Sequence, residues 1–112
     1  MKGIEEKALA YLGFSVRAGR AVIGVALVCE ALKKAPAGKA PRIVLEAANT
    51  SPNTHKRIVD RTAYYKTPAV RLSLDGEALA IAVGKRGSTI GAVGVTDEGL
   101  AREIAALYGI SL

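Results

Sequence analysis

The chain reads as an α/β fold, a three-layer α/β/α sandwich whose central mixed sheet of about four strands carries helices on both faces. Segments with apolar residues at helical spacing alternate with short β-branched runs along the whole length. The connections between them are short, with no internal repeat and no low-complexity linker. Size agrees: 112 residues make one domain, taken as residues 1–112, and burial of about 65% of the unfolded surface makes staples unnecessary.

Ile4–Arg17 is the first predicted helix, with Ile4, Ala8, Tyr11, Leu12 and Ser15 along one side and Gly19 as its stop. Arg20–Ile23 is a short apolar run read as a strand. Gly24 then opens a second helix, Val25–Ala35, in which Leu27, Val28, Ala31 and Leu32 recur at helical spacing. Lys33 and Lys34 fall in its last turn, where the helix dipole favours cations, and Pro36 and Gly38 end it. Arg42–Leu45, compact and β-branched after Pro41, suits a buried strand. The polar stretch Ala48–Pro52 offers Asn49, Thr50 and Ser51 as caps for a third helix that runs to about Tyr65. Pro52 fits its first position, where a missing amide costs no hydrogen bond. Pro68–Leu72 is a strand, and Leu74–Val83 is a short helix closed by Gly84. Ile90–Thr96 is another strand, containing Gly91 and Gly94. Asp97 caps the last helix, Glu98–Tyr108, and Gly109 ends it.

Sixteen Lys and Arg against ten Asp and Glu give a net charge of +6. That excess favours polyanionic partners, of which nucleic acid is the commonest. Uncharged stretches such as Gly87–Thr96 reach about half of the ~20 residues a membrane-spanning helix needs. Glu5 and Glu6 interrupt any signal-peptide pattern. One cysteine, Cys29, makes no internal disulfide, and one histidine with one cysteine does not complete a tetrahedral zinc site. The expectation is a cytoplasmic monomer without membrane contact, metal or cofactor.

Enzymatic motifs fail on inspection. Gly84-Lys85-Arg86-Gly87-Ser88-Thr89 resembles a phosphate loop only superficially: Leu79 stands where the Walker pattern needs glycine, and Arg86 where it needs Ser or Thr. Gly91 and Gly94 lie within a strand pattern, not at a dinucleotide-binding turn. His55 would need an orienting carboxylate to act as a base, and Asp60 is about 500° round the helix from it. His55 therefore reads as an exposed helix residue and Cys29 as a buried apolar one. The pairs Glu5-Glu6 and Asp97-Glu98 are helix-start charges.

Three loops carry the functional signal. Arg17–Gly24 places Arg17 and Arg20 about a helix start, whose free amides attract anions. Ala47–Thr54 is followed by Lys56 and Arg57. Gly84–Gly91 sets Lys85 and Arg86 before the small Gly87-Ser88-Thr89. Each has a plainer explanation as a solvated turn. Their positions between strands and helices nevertheless place them where they can gather at one end of the sheet as a basic edge. No aromatic stacking platform is evident, since Tyr64 and Tyr65 pack or rim the third helix, so backbone shape would dominate recognition.

Several blocks together resemble the kink-turn-binding ribosomal protein family, that of ribosomal proteins L-seven-Ae and L-thirty-e. They are Tyr11–Arg20, Val22-Ile23-Gly24, Arg42–Leu45, Ser51–Thr54 with Lys56, Tyr64–Pro68, Leu79–Lys85 and Ala92–Ala101. Their order over nearly the full length is most like the bacterial YlxQ-type branch. The resemblance implies the same sandwich fold, no enzymatic core, and binding of kinked RNA helices within ribonucleoproteins. It implies an RNA face around Gly24, Val25 and Ala26, around Asn49, and in the region of Lys85, Arg86, Ser88, Thr89 and Ile90; Arg20 and Lys56 join Lys85 and Arg86 as expected phosphate contacts. Gly24 matches the glycine that heads the RNA-reading helix. Family members that read kink-turns carry Asn, Glu and Lys two, three and six residues beyond it, where this chain has Ala26, Leu27 and Glu30. Two hydrogen-bonding groups are thus apolar and one cation is an anion. The expected function is non-catalytic binding of structured, kink-turn-like RNA by shape and phosphate contacts, with ribosomal RNA and ribosomal or ribonucleoprotein components as partners. The alternative is a protein–protein adaptor on the same fold.

Overall fold

The structure, a computed structural model, describes residues 3–34 and 38–112. Five helices, α1 (Ile4–Arg17), α2 (Val25–Leu32), α3 (Pro52–Tyr64), α4 (Gly76–Ala82) and α5 (Glu98–Leu107), alternate with four strands, β1 (Ala21–Ile23), β2 (Ile43–Glu46), β3 (Ala69–Arg71) and β4 (Ala92–Val95). The strands form one mixed sheet in the order β1-β4-β2-β3. β4 runs antiparallel to both β1 and β2, and β2 runs parallel to β3.

Strand alternation divides the core between the two faces. Ile43 and Leu45 of β2, with Val93 and Val95 of β4, face a cluster with Leu12 of α1, Leu79 of α4, and Ala101 and Ile104 of α5. Val44 and Ala92 point the other way, against Val28 and Leu32 of α2 and Ile58 of α3. Helices therefore cover both faces, as the periodicities predict. The central strands β2 and β4 are buried at every position, whereas the edge strands β1 and β3 are half-buried or exposed.

The helix starts follow capping chemistry. The side chains of Ser51, Asp75 and Asp97 accept from the backbone N–H groups of Thr54, Ala78 and Leu100, and Pro52 takes the first turn of α3. Two helix boundaries move by two or more residues from the sequence reading. α2 ends at Leu32, so Lys33 and Lys34 lie beyond its last turn; Ala35 and Pro36 fall outside the described residues. α4 starts at Gly76, not Leu74, because Asp75 caps it and the Leu74 carbonyl instead accepts from the Ala48 N–H at 2.8 Å. Among the described residues no helix is long and apolar enough to cross a membrane.

The α2 face of the sheet is thin at Gly94, where an added Cβ would lie 2.8 Å from Cβ and Cγ of Pro41. Neither partner is a flexible chain end that can swing away. Gly94→Ala is expected to lose about 1–3 kcal/mol of stability by overpacking, read as a lowered urea midpoint with an unchanged m-value.

Candidate functional site

Because β1, β2 and β3 all oppose β4, their C-terminal ends share one end of the sheet with the N-terminal end of β4. Three connections meet there: Gly24 at the head of α2, Ala47–Ser51 between β2 and α3, and Ser88–Gly91 leading into β4. Backbone hydrogen bonds stitch them together. The Gly24 N–H donates to the Ala92 carbonyl and the Ala47 N–H to the Gly91 carbonyl, each at 2.8 Å. The three connections approach one another closely at Gly91, where a Cβ would lie 2.8 Å from Cγ2 of Val25 and 3.4 Å from Cγ2 of Thr50. Parts of the three expected loops therefore gather, the first through Gly24 alone and without Arg17 and Arg20.

The head of α2, like that of α1, has no side-chain cap, but α1 carries Glu5 and Glu6 in its first turn and α2 carries no acid there. Gly24 adopts φ 103° and ψ 146°, a conformation that essentially only glycine tolerates, and this turns the chain from β1 directly into the helix. No side chain caps α2 and no acid lies in its first turn, whereas Ser51, Asp75 and Asp97 cap α3, α4 and α5. Among the described residues, neither a capping side chain nor a first-turn acid compensates the positive end of this helix dipole. Val25 is half-buried against Gly91, while Ala26 and Leu27 are exposed, Leu27 to 61%. Glu30, also exposed, pairs with Lys33 at 3.3 Å.

An open groove of about 820 Å³ runs beside the edge strand β1. Arg20, Lys34, Lys39 and Lys85 line it around an apolar surface that includes Ile23, Leu27 and Ile90, and Glu30 is its single acid. Four cations against one anion give its described lining a positive charge. Arg20 sits at the opposite end of β1 from Gly24, its carbonyl accepting from the Thr96 N–H at 2.9 Å, so it does not flank the start of α2. Arg17 is the last residue of α1, with its guanidinium 4.9 Å from the Phe14 ring centroid, and takes no part in the groove.

The other expected residues disperse around this centre. Arg86, Ser88 and Thr89 are exposed in the link between α4 and β4; Ile90 is half-buried. Asn49 is exposed, but its Oδ1 accepts from the Gly76 N–H at 2.9 Å and so serves the fold. Lys56 projects from α3 with Nζ 2.8 Å from Asp60, outside the groove. That hydrogen bond, and secondarily the Asp60 charge, raise the Lys56 ammonium above the usual lysine value. Tyr64 and Tyr65 meet edge to face with centroids 4.9 Å apart; Tyr64 is 78% exposed, while Tyr65 packs against the core. Cys29 is buried, as expected.

His55 departs from expectation. Asp60 is not its partner, but Glu46 at the end of β2 is, with both carboxylate oxygens 2.9 Å from His55 Nδ1. The imidazole is half-buried as a result, not freely exposed. Glu46 was not legible as a site residue, since it reads as the polar end of a strand. The available signal was a lone charge continuing the run Ile43-Val44-Leu45 into a buried row. Among the described residues no three His, Cys, Asp or Glu side chains cluster as metal ligands.

No family model matches the chain. Two curated bacterial proteins align along most of it. RNA-binding protein YlxQ of Bacillus subtilis (strain 168) is 33% identical over 96 residues, covering 86% of this chain and 89% of that one. RNA-binding protein YlxQ of Enterococcus faecium is 29% identical over 102 residues, 91% of each chain. A solved structure of a Bacillus halodurans protein with unknown function matches with a TM-score of 0.80 and 26% identity, over 92% of this chain and 97% of that one.

The conformation of Gly24 makes the head of α2 a sensitive point. Gly24→Ala meets no atom within 4 Å, so its cost is backbone strain alone, about 1–3 kcal/mol. The expected outcome is a lower thermal midpoint with amide exchange accelerated first around Val25–Val28.

Proposed function

The chain belongs to the YlxQ family, and from that premise we propose that residues 1–112 act as a single non-catalytic RNA-binding domain. The observation that carries the reading is an uncapped helix start at the C-terminal end of β1 together with a groove along that strand lined by Arg20, Lys34, Lys39 and Lys85. An RNA backbone supplies what both lack: negative charge for the cations, and acceptor oxygens for the first-turn amides of α2. The names of the two curated relatives support RNA as the ligand class.

Recognition works by shape and phosphate contact. Ala26 and Leu27 have no side-chain group to hydrogen-bond a base edge, and Glu30 repels phosphate. The RNA proposed is structured and kink-turn-like, in a ribosomal or other ribonucleoprotein setting. The bend fits around the head of α2 and the Ser88–Ile90 link, while Arg20, Lys56, Lys85 and Arg86 neutralise phosphates. The exposed, apolar Leu27 favours a second reading, a protein–protein adaptor using the same groove. Co-purification separates the two: an RNA binder carries a raised 260-to-280 nm absorbance ratio, easily seen in a chain without tryptophan.

Titration of a kinked RNA hairpin against salt tests the proposal. With about four phosphates neutralised, log affinity should fall against log salt with a slope of about −3 to −4; salt-independent or absent binding removes the reading. Lys85→Ala should weaken binding to every structured RNA and make the slope shallower by about 1. The double change Ala26→Asn with Leu27→Glu should raise preference for the kinked hairpin over a plain duplex by about 1–3 kcal/mol if these positions face base edges.

A further inference from the structure

The buried carboxylate of Glu46 has no counterpart in the reasons the sheet folds. Its side chain is only 3% exposed at the end of a strand whose other residues, Ile43, Val44 and Leu45, are apolar and buried. A buried charge is costly, and an apolar residue of similar volume is often neutral or stabilising in its place. Glu46 nevertheless draws three side chains from three segments. The Thr50 hydroxyl, in the link to α3, donates to one carboxylate oxygen. His55 of α3 reaches both oxygens through Nδ1 at 2.9 Å, and Arg71 of β3 brings its Nε to 3.8 Å. Arg71 then reaches back through one terminal nitrogen to the Ala48 carbonyl at 3.0 Å and the Thr50 Oγ1 at 3.3 Å. The short link Ala47–Ser51 is clasped at both ends around one carboxylate.

We infer that Glu46, through Thr50, His55 and Arg71, is a positioning residue that holds the Ala47–Ser51 link and the first turn of α3 in the RNA-binding arrangement. The inference deepens the RNA-binding reading and rests on it. Thr50 touches the tight crossing at Gly91, against which the head of α2 also packs, so the clasp sets one wall of the site. His55 lies in the first turn of α3, and anchoring its imidazole to Glu46 ties that turn to β2. Glu46 itself is too buried to touch RNA, and it acts only through the groups it orders.

This assignment separates stability from binding. Thr50 and His55 are half-buried and Arg71 is exposed, so replacing Glu46 by an apolar side chain leaves each able to reach water. Glu46→Leu is therefore expected to keep or raise the thermal midpoint while weakening the kinked RNA hairpin about tenfold. Its salt slope should stay at the wild-type value, because no phosphate contact is removed. A residue with a merely structural role would lower the midpoint together with affinity. Thr50→Val, which removes one arm of the clasp and leaves the strand untouched, should weaken binding about threefold.

The clasp also has a signature independent of RNA. An ionised carboxylate only accepts hydrogen bonds, so the proton of the His55–Glu46 bond resides on Nδ1. Nitrogen NMR of the free protein should show His55 protonated at Nδ1 in the wild type, and shifted toward the ordinary Nε2-protonated form in Glu46→Leu. A Glu46→Leu protein that binds the hairpin as tightly as wild type overturns the positioning role while leaving RNA binding intact. So does a binding loss that merely tracks a fallen midpoint. A wild-type protein that shows the His55 signature but binds no hairpin at low salt overturns the RNA reading, and the positioning role with it.

Discussion

At Gly91 the backbone passes so close to Val25 and Thr50 that no Cβ fits without displacing Val25 Cγ2, which would stand 2.8 Å away. This crossing joins the head of α2, the link after β2 and the start of β4, three segments far apart in sequence. Its geometry depends on β4 running antiparallel to both β1 and β2, which delivers all three segments to one end of the sheet. A rigid end of this kind is what a shape-reading surface needs, because loops ordered in advance lose little entropy on binding.

The distribution of helix caps gives that end its polarity. Ser51, Asp75 and Asp97 satisfy the first amides of three helices with their own side-chain oxygens. α2 has Gly24 in this position, forced by a backbone conformation that excludes a side-chain cap. The same glycine that makes the turn possible therefore leaves the helix start open. The cations of the groove lie along β1 and not at this opening: Arg20 is at the far end of the strand from Gly24 and Lys34 follows the last turn of α2, while Glu30, the one acid of the described lining, pairs with Lys33.

The Glu46 cluster follows the opposite logic. Where α2 leaves a charge-seeking end exposed, β2 buries a carboxylate and surrounds it with donors from α3, β3 and the intervening link. A hydrogen-bonded carboxylate is directional in a way that apolar contacts are not, and it fixes an irregular segment that has no ladder of its own. The two edges of the site are thus built by different means, one by close backbone approach and the other by a polar clasp.

Much of the fold could be read directly from residue order, because helix and strand periodicities, Pro52 and the caps at Ser51 and Asp97 are local signals. The start of α1 and its end at Arg17, the cap of α5 and the burial of Cys29 emerge that way. Lys85 and Gly24 were legible too, as a cation beside glycines and a glycine before a helix. The partnership of Glu46 and His55 was not, nor was the placement of Arg20 at the far end of β1 from Gly24. Both depend on which strand lies beside which and in what direction, and hydrogen bonds across a sheet leave no period in the chain that forms them. Local chemistry specifies each element; only packing specifies whose side chain meets whose, since that choice is made by the shared burial of surfaces distant in sequence.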